Sequence, residues 1–136
     1  MTLRVALVVP EGEIWVGDAD RLIAKTLDGD VGILTGHTPV LGILAPSSVV
    51  RILPETDTSG MGWVQAAVAG GFLSVADDHV SILARQAALG SDVDKIATRA
   101  ELEAAVGEAS ASGHGGEEPG EVSYLRALLR AAGDEA

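Results

Sequence analysis

Apolar residues through about residue 86 come in short runs, and Gly, Pro or paired Asp residues interrupt these runs. Several runs alternate apolar with polar positions, and no period of 3.6 residues persists across the interruptions. Many short strands separated by turns are typical of a β-sandwich or a β-barrel. The pattern predicts strands at 3–9, 19–26, 31–34, 40–44, 48–53, 63–68, 72–75 and 79–83, and a polar hairpin tip at 55–60.

The pattern changes after Arg85, where apolar positions recur at helical spacing. Ser91 and Asp92 are favourable residues for a helix N-terminus, so the first helix is predicted to start there and to reach Val106. A second helix is predicted over 122–132. Two helices this short bury little surface alone, so they must pair, pack on the β domain or dock on a partner.

A run of small and polar residues separates the two predicted helices. Gly107 opens the run and Gly120 closes it, and its composition is typical of a flexible connection. We therefore divide the chain into a β domain over 1–88 and a helical hairpin over 89–136.

Composition narrows the classes of function. Hydrophobic residues make up 47% of the chain, which suffices for a packed core. The net charge of −11 argues against direct binding to nucleic acid or anionic lipid, which repel an acidic surface. Cysteine is absent, which excludes disulfides and thiolate metal sites. No apolar run approaches the roughly 20 residues that span a bilayer, so membrane association is expected to go through a partner.

Three histidines are candidates for acid–base chemistry or metal binding. His37 is the strongest, since it lies in a Gly- and Pro-rich segment with Asp28 and Asp30 nearby in sequence. No Ser or Cys has the context of an activated nucleophile, and the neighbouring glycines match neither a phosphate loop nor a dinucleotide fingerprint. We favour a turn or contact role for His37, with His79 as a polar rim residue and His114 as a linker residue. A small enzyme that uses His37 with Asp28 or Asp30 is an alternative.

The segment 28–44, DGDVGILTGHTPVLGIL, resembles the dG-x-x-GIL-x-GH-x-Pl segment of the epsilon subunit of F-type ATP synthases, called delta in mitochondria. Three further segments resemble that family in the same order: VALVVPE at 5–11, GGFLSV at 70–75 and HVSILA at 79–84. A single GH-x-P is weakly specific. Four ordered matches over residues 1 to about 88, followed by two helices, are strongly specific.

The resemblance implies a ten-strand β-sandwich followed by a helical hairpin, and a non-catalytic rotor subunit of the central stalk. Such a subunit would hold the gamma subunit to the ring of membrane c subunits. It would thereby couple proton-driven rotation to ATP synthesis, which occurs at catalytic subunits elsewhere in the complex. The implied location is the cytoplasmic face of a bacterial cell membrane, reached through partner subunits.

The resemblance also implies which residues meet these partners. In the family, the loop that corresponds to 28–31 faces the polar loops of the c ring, and the GH-x-P segment lies beside it. The candidate contacts with the c ring and gamma are therefore Asp28, Asp30, Val31, His37 and Pro39. Asp28 and Asp30 are expected to pair with basic residues of the c-ring loops.

In many bacterial relatives the helical tail extends along gamma and blocks ATP hydrolysis with a long, basic second helix. From residue 91 onward this chain has four basic and ten acidic residues, and Arg126 and Arg130 are the cations of its second predicted helix. We therefore expect weak or no inhibition by the tail. Any contact with the catalytic alpha and beta head is expected through the tail.

Some relatives bind ATP through an Ile/Leu-Asp-x-x-Arg-Ala motif at the start of the first helix. Asp94 matches this motif, but Ala97 stands at the arginine position, and Arg99 comes two residues later, about 200° around a helix. Asp94, Arg126 and Arg130 are the candidate nucleotide or regulatory residues. Binding of ATP, or of any other cofactor, is not expected.

A free-standing β-sandwich that binds some other protein is the alternative to a rotor subunit. In that case the amphipathic tail would cover one sheet face permanently. The strands at 40–44 and 63–68 are apolar on both sides, which favours an interface with a partner.

Overall fold

The computed structural model describes residues 2–55, 62–111 and 120–133, and seven strands precede two helices within them. The predicted hairpin tip lies outside these ranges apart from Glu55, and so does His114. The strands are β1 (Leu3–Val9), β2 (Gly12–Thr26), β3 (Gly29–Leu34), β4 (Val40–Ile43), β5 (Ser48–Pro54), β6 (Val64–Ala76) and β7 (His79–Leu89). After a 3-10 turn at Gly90–Asp92 come the helices α1 (Lys95–Ala111) and α2 (Gly120–Ala131).

The strands form two packed layers, and the three longest strands run through both of them. The first half of β2 pairs with β1, and its second half pairs with β3 and β5. Strand β6 pairs with β5 before its central glycines and with β4 after them, while β7 follows β6 along most of its length. One layer therefore contains β1, β4 and the adjoining halves of β2, β6 and β7. The other contains β3, β5 and the remaining halves.

The predicted β-sandwich with a helical appendage is confirmed, although the number of strands differs from the implied ten. Strands β2, β6 and β7 pass from one layer to the other without a break, and counting each of them twice gives ten. The sequence pattern ends a strand at Gly70-Gly71, whereas β6 continues through both residues. Both have positive φ, +68° and +120°, and a Cβ on Gly71 would overlap the carbonyl oxygen of Leu83. These glycines therefore bend a strand and do not end it.

Alternate residues of each strand point between the layers and form the core. Burial of a Leu or Ile side chain stabilises the folded state by about 1.5–3 kcal/mol, so rows of such residues hold the layers together. Two fully buried rows are Leu7, Ile82 and Leu73 in one layer, and Leu22, Ile33 and Ile52 in the other.

Helix α1 begins later than the sequence pattern predicts. Asp94 is its N-terminal cap, and its Oδ1 accepts hydrogen bonds from the amides two and three residues ahead, both at 3.1 Å. The predicted start, Ser91-Asp92, belongs instead to the 3-10 turn, which the Val93 amide closes on the Gly90 carbonyl at 3.2 Å. Helix α1 is therefore capped by Asp94, which directly precedes its first residue, and not by Ser91 or Asp92.

Helix α1 also continues past Gly107, where the sequence pattern starts the flexible connection. Glycine inside a helix costs about 1 kcal/mol relative to alanine. The surrounding residues, ELEAAVGEASA at 101–111, are mostly strong helix formers, and they outweigh this cost. The rest of the predicted connection, 112–119, lies outside the described residues.

Helix α2 packs between α1 and the sandwich. One side of α2 contacts α1 around Leu102, and the opposite side lies on β5 and β6. On that side Ala127 and Ala131 pack on Ala67, and these small side chains permit close approach. The apolar outer side of 63–68, which the sequence pattern attributes to a partner protein, is thus covered by a helix of the same chain.

Candidate docking surfaces

The outer side of the layer that contains β4 carries a row of exposed apolar side chains. Ile43, Phe72, Leu83 and Val8 lie side by side on β4, β6, β7 and β1. The first three are 53%, 51% and 51% exposed. Leu41 extends the row along β4 and is 74% exposed. We call these five residues the apolar sheet face.

The apolar sheet face is continuous because the residues that adjoin it on the same side of the sheet have small side chains. Next to Leu41, the adjoining strands present Ser74, Ser81 and Ala6 in turn. The layer beneath is already packed by core residues, so the outer side chains contribute little to the fold. A contiguous exposed apolar patch of this kind is characteristic of a protein–protein interface.

The β2–β3 turn lies beside this face. Thr26 shapes the turn: its Oγ1 donates to the Gly29 carbonyl at 2.9 Å and accepts from the Asp28 amide at 3.2 Å. The Leu27 amide donates to the carbonyl of Ile43 at 2.9 Å, which holds the turn against the end of β4. The turn therefore has a fixed position relative to the apolar sheet face.

Two of the three predicted contacts in this turn are available to a partner. Asp28 and Asp30 are exposed, and Asp30 lies opposite Lys25 in the β2–β3 pair. Val31 is half-buried and packs on the core, so its contribution is mainly structural. The turn thus offers two carboxylates at one end of the sandwich.

The loop that contains His37 joins β3 to β4 and is held by hydrogen bonds. The His37 amide donates to the Leu34 carbonyl at 3.0 Å, and the ring Nδ1 lies 2.7 Å from the Thr38 carbonyl. The Gly36 amide donates to the Asp78 carboxylate at 2.7 Å, which fastens the loop to the β6–β7 turn. Sequence reasoning missed Asp78, because its partner is 42 residues away.

The structure separates the His37 loop from the β2–β3 turn. They lie at opposite ends of β3, whose five residue steps span about 17 Å. The resemblance implies that the two segments lie side by side, and the structure does not place them so. Neither Asp28 nor Asp30 is within reach of the His37 imidazole, so the alternative of an enzyme that uses these residues together has no geometric support.

We predict that Asp78 positions the His37 loop. Asp78 has φ +62°, so Asp78→Gly keeps the backbone but removes the carboxylate, whereas Asp78→Asn keeps an acceptor. Loss of an exposed charge-assisted hydrogen bond worth about 1 kcal/mol should speed exchange of the Gly36 amide by roughly fivefold in Asp78→Gly. The Asn variant should stay near the parent rate by NMR hydrogen exchange. Equal rates in both variants would contradict this role.

The three tail candidates have different surroundings. The carboxylate of Asp94 is engaged as the cap of α1. Arg126 is half-buried, and Arg130, in the last turn of α2, is exposed and lines a pocket with Lys25 and Arg51 of the sheet. No sequence motif signals these two sheet cations, which reach Arg130 only through the docking of α2.

Among the residues that the structure describes, no group of three or more His, Cys, Asp or Glu side chains is arranged to hold a metal ion. In the same ranges, neither helix has the length and apolar character needed to cross a membrane.

Residues 2–90 match the family model described as ATP synthase, Delta/Epsilon chain, beta-sandwich domain. The chain is 47% identical over 131 residues to the ATP synthase epsilon chain of Thermobifida fusca, covering 96% of this chain and 91% of the relative. It is 51% identical over 89 residues to the ATP synthase epsilon chain of Frankia casuarinae, covering 65% of this chain and 99% of the relative.

The fold is similar to solved chains in two mitochondrial ATP synthases. The Euglena gracilis OSCP/F1/c-ring structure contains a chain with a TM-score of 0.72 and 24% identity, covering 96% of this chain and 81% of that one. The Tetrahymena thermophila central stalk/c-ring structure contains one with a TM-score of 0.58 and 19% identity, covering 96% of each. At these identities the likeness concerns the fold alone.

Proposed function

Because the chain belongs to the ATP synthase delta/epsilon family, we propose that it is a central-stalk rotor subunit that holds gamma to the c ring. Its curated relatives are epsilon chains, and like them it is a non-catalytic subunit of a membrane-associated complex. In this role it makes and breaks no bond. It transmits torque from a ring turned by proton flow to the gamma subunit, and so couples that flow to ATP synthesis.

The apolar sheet face is the observation that carries this proposal. A rotor subunit keeps the same partner through many turns, and permanent interfaces are more apolar than transient ones. Four side chains that are about half exposed or more, on neighbouring strands, suit such a contact. We assign this face to gamma. His37 and Pro39, in the loop that leads into β4, would contact gamma at its margin.

We assign the β2–β3 turn to the c ring. The turn presents Asp28 and Asp30 at one end of the sandwich, and it is fixed to β4 through the Leu27–Ile43 hydrogen bond. A rigid body that meets gamma with a side and the ring with an end can pass torque between them. The carboxylates would pair with basic residues of the c-ring loops.

Reversing the charge of Asp28 should weaken binding to the ring. We expect Asp28→Lys to lower the affinity of the gamma-bound chain for purified c ring by about 3–10-fold at low salt, with the difference lost near 0.5 M salt. Asp28 is a cleaner probe than Asp30, which also lines the pocket beside Arg130. Glu103→Lys, an exposed reversal on α1, is the matched control. Equal affinities of both variants at low salt would remove the turn from the interface.

We place the chain at the cytoplasmic face of a bacterial cell membrane, since its relatives from Thermobifida and Frankia are bacterial. A net charge of −11 disfavours direct contact with anionic lipid, so gamma and the ring would hold it there. The same charge disfavours nucleic acid as a partner.

We propose that the tail inhibits ATP hydrolysis weakly or not at all. From residue 91 onward it is acidic, and α2 packs on the sandwich. Removing residues 91–136 should leave hydrolysis by the assembled complex within about a factor of two, because the tail is acidic and lacks the long, basic second helix that the resemblance links to inhibition. The Frankia relative is matched over 99% of its length by 89 residues, so a chain of about sandwich length occurs in the family. A several-fold rise in hydrolysis would show that the tail inhibits.

A free-standing interaction module is the second candidate. Its supporting observation is α2, which covers the outer side of β5 and β6 within one chain. That covering leaves the apolar sheet face exposed, so such a module would still need a partner there. Failure of the purified chain to bind gamma would favour this candidate.

A further inference from the structure

Strand β3 forms a free edge of the sandwich. One side of β3 pairs with β2 along its whole length, and within the described residues no strand pairs with its other side. An unpaired edge presents a row of backbone donors and acceptors, and proteins commonly protect it with proline, a bulge or several charges. Strand β3 has Asp30 as its one charge and has neither proline nor a bulge. Its outer edge is therefore open to another strand.

The hydrogen bonds of Lys25 show which backbone groups point to this edge. The Lys25 carbonyl accepts the Ala45 amide at 2.9 Å, on the side of β2 that is away from β3. Lys25 and Asp30 therefore lie opposite each other without exchanging hydrogen bonds, and such pairs alternate with bonded pairs along an antiparallel ladder. The amide and carbonyl groups of Asp30 and Gly32, and the amide of Leu34, consequently point away from β2.

The centre of the edge has room for a second backbone. Gly32 is exposed, and a Cβ built on it would meet nothing within 4 Å. Glycine inside a strand often marks a place where another backbone approaches closely. Leu34 is 55% exposed on the same side of the sheet and offers an apolar contact beside this place. The surface suits an extended segment, because a helix bonds its own backbone groups and cannot pair with an edge.

The position of β3 indicates which partner covers the edge. The His37 loop joins the end of β3 to the start of β4, and the Leu27–Ile43 hydrogen bond fixes the β2–β3 turn to the end of β4. Strand β3 therefore runs alongside β4 on one side of the sandwich. Strand β4 carries Leu41 and Ile43 of the apolar sheet face and pairs with β6 alone among the described strands. A partner that covers the apolar sheet face as far as its β4 margin thus reaches β3.

We propose that gamma contributes an extended segment that adds to β3 as a further strand. The proposal rests on the proposed function, in which gamma covers the adjoining apolar sheet face. An added strand would bond the backbone of Gly32, and its side chains would meet Leu34 near one end and Asp30 near the other. A segment with an apolar residue and a basic residue about four positions apart fits this edge. Backbone pairing would also resist sliding between gamma and the sandwich, which transmission of torque requires.

Hydrogen exchange in the complex of the full chain with gamma tests the proposal. The amides of Asp30, Gly32 and Leu34 should exchange rapidly in the free chain and at least about tenfold more slowly in the complex, because carbonyls of the added strand accept them. The amides of Val31 and Ile33 bond to β2 and should exchange slowly in both states. Unchanged exchange at Gly32 in a chain that binds gamma would overturn the added strand and leave the proposed function standing. Failure to bind gamma at all would overturn both.

Gly32→Pro and Gly32→Ala form a matched pair for calorimetry with gamma. The amide that proline removes points away from β2, so the β2–β3 ladder remains and the melting temperature should stay near that of the parent. Proline removes the donor and obstructs a second strand, so the affinity for gamma should fall at least about tenfold. Alanine keeps the amide at a position without positive φ, and its affinity should stay within about threefold of the parent. Equal affinities of the two variants would overturn the proposal.

Two other occupants of the edge give different results. A second copy of the chain would make the free protein dimeric by light scattering, and Gly32→Pro would make it monomeric. The c ring would slow exchange at Gly32 only after it is added to the chain and gamma. Either result would overturn the assignment of this edge to gamma, which predicts a monomeric free chain and slow exchange with gamma alone.

Discussion

Substituting Ile43, Phe72 and Leu83 together by serine is expected to weaken binding to gamma by about 1,000-fold. These side chains are about half exposed in the free chain, and a partner that covers them would remove the remaining surface from water. Each would then contribute about 1–2 kcal/mol, so the three sum to about 4 kcal/mol. Calorimetry with purified gamma measures this loss directly.

The free chain should tolerate this triple substitution, because the residues lie outside the core. Its melting temperature should change little, which separates lost binding from lost folding. Ile96→Ser is the matched control, since Ile96 is 85% exposed but lies on α1. We expect this control to bind gamma like the parent. Unchanged affinity in the triple variant would mean that the apolar sheet face is not the gamma interface.

Gly90→Ala is expected to release α2 from the sandwich. A Cβ on Gly90 would overlap the carbonyl group of Ala131, and both partners in this contact are backbone, so no flexible side chain can yield. Moving the helix away costs on the order of 1.5–3 kcal/mol, which raises the undocked population by roughly 10–150-fold. Gly107→Ala is the matched control, because a Cβ there meets nothing within 4 Å and alanine favours the helix.

Limited proteolysis measures this release, since trypsin cuts after Arg126 and Arg130 once α2 is undocked. We expect at least about tenfold faster cleavage in Gly90→Ala and no acceleration in Gly107→Ala. In the assembled complex, hydrolysis of ATP by the Gly90→Ala form should stay near the parent rate, because the released tail is acidic. Several-fold slower hydrolysis would show that a freed tail inhibits the head, against our proposal.

The sequence predicts the class of fold well because strand alternation is a local property. All eight predicted strand segments lie mainly within the observed strands. The lengths of β2, β6 and β7 are not predictable in this way. Gly70-Gly71 has the composition of a turn, and only the opposing strand β7 decides that the chain bends there and continues. The count of ten strands and the count of seven differ for this reason.

The docking surfaces are less accessible to sequence reasoning. Phe72 and Leu73 are adjacent and both apolar, so alternation cannot decide which of them faces the core. The register between β6 and β7 decides which residue is buried. Leu73 pairs with Ile82 on the core side of the sheet, and Phe72 pairs with Leu83 on its outer side. The cluster of Arg130 with Lys25 and Arg51 depends on tertiary docking in the same way, since these residues are far apart in sequence.

The central claim is that this chain joins gamma to the c ring, and size-exclusion chromatography with light scattering tests it most directly. The full chain is mixed with purified gamma, and then with gamma and purified c ring. In the first mixture we predict that the chain co-elutes with gamma. In the second mixture we predict that the chain, gamma and the c ring elute together as one complex. Elution of the chain by itself in both mixtures would contradict the account.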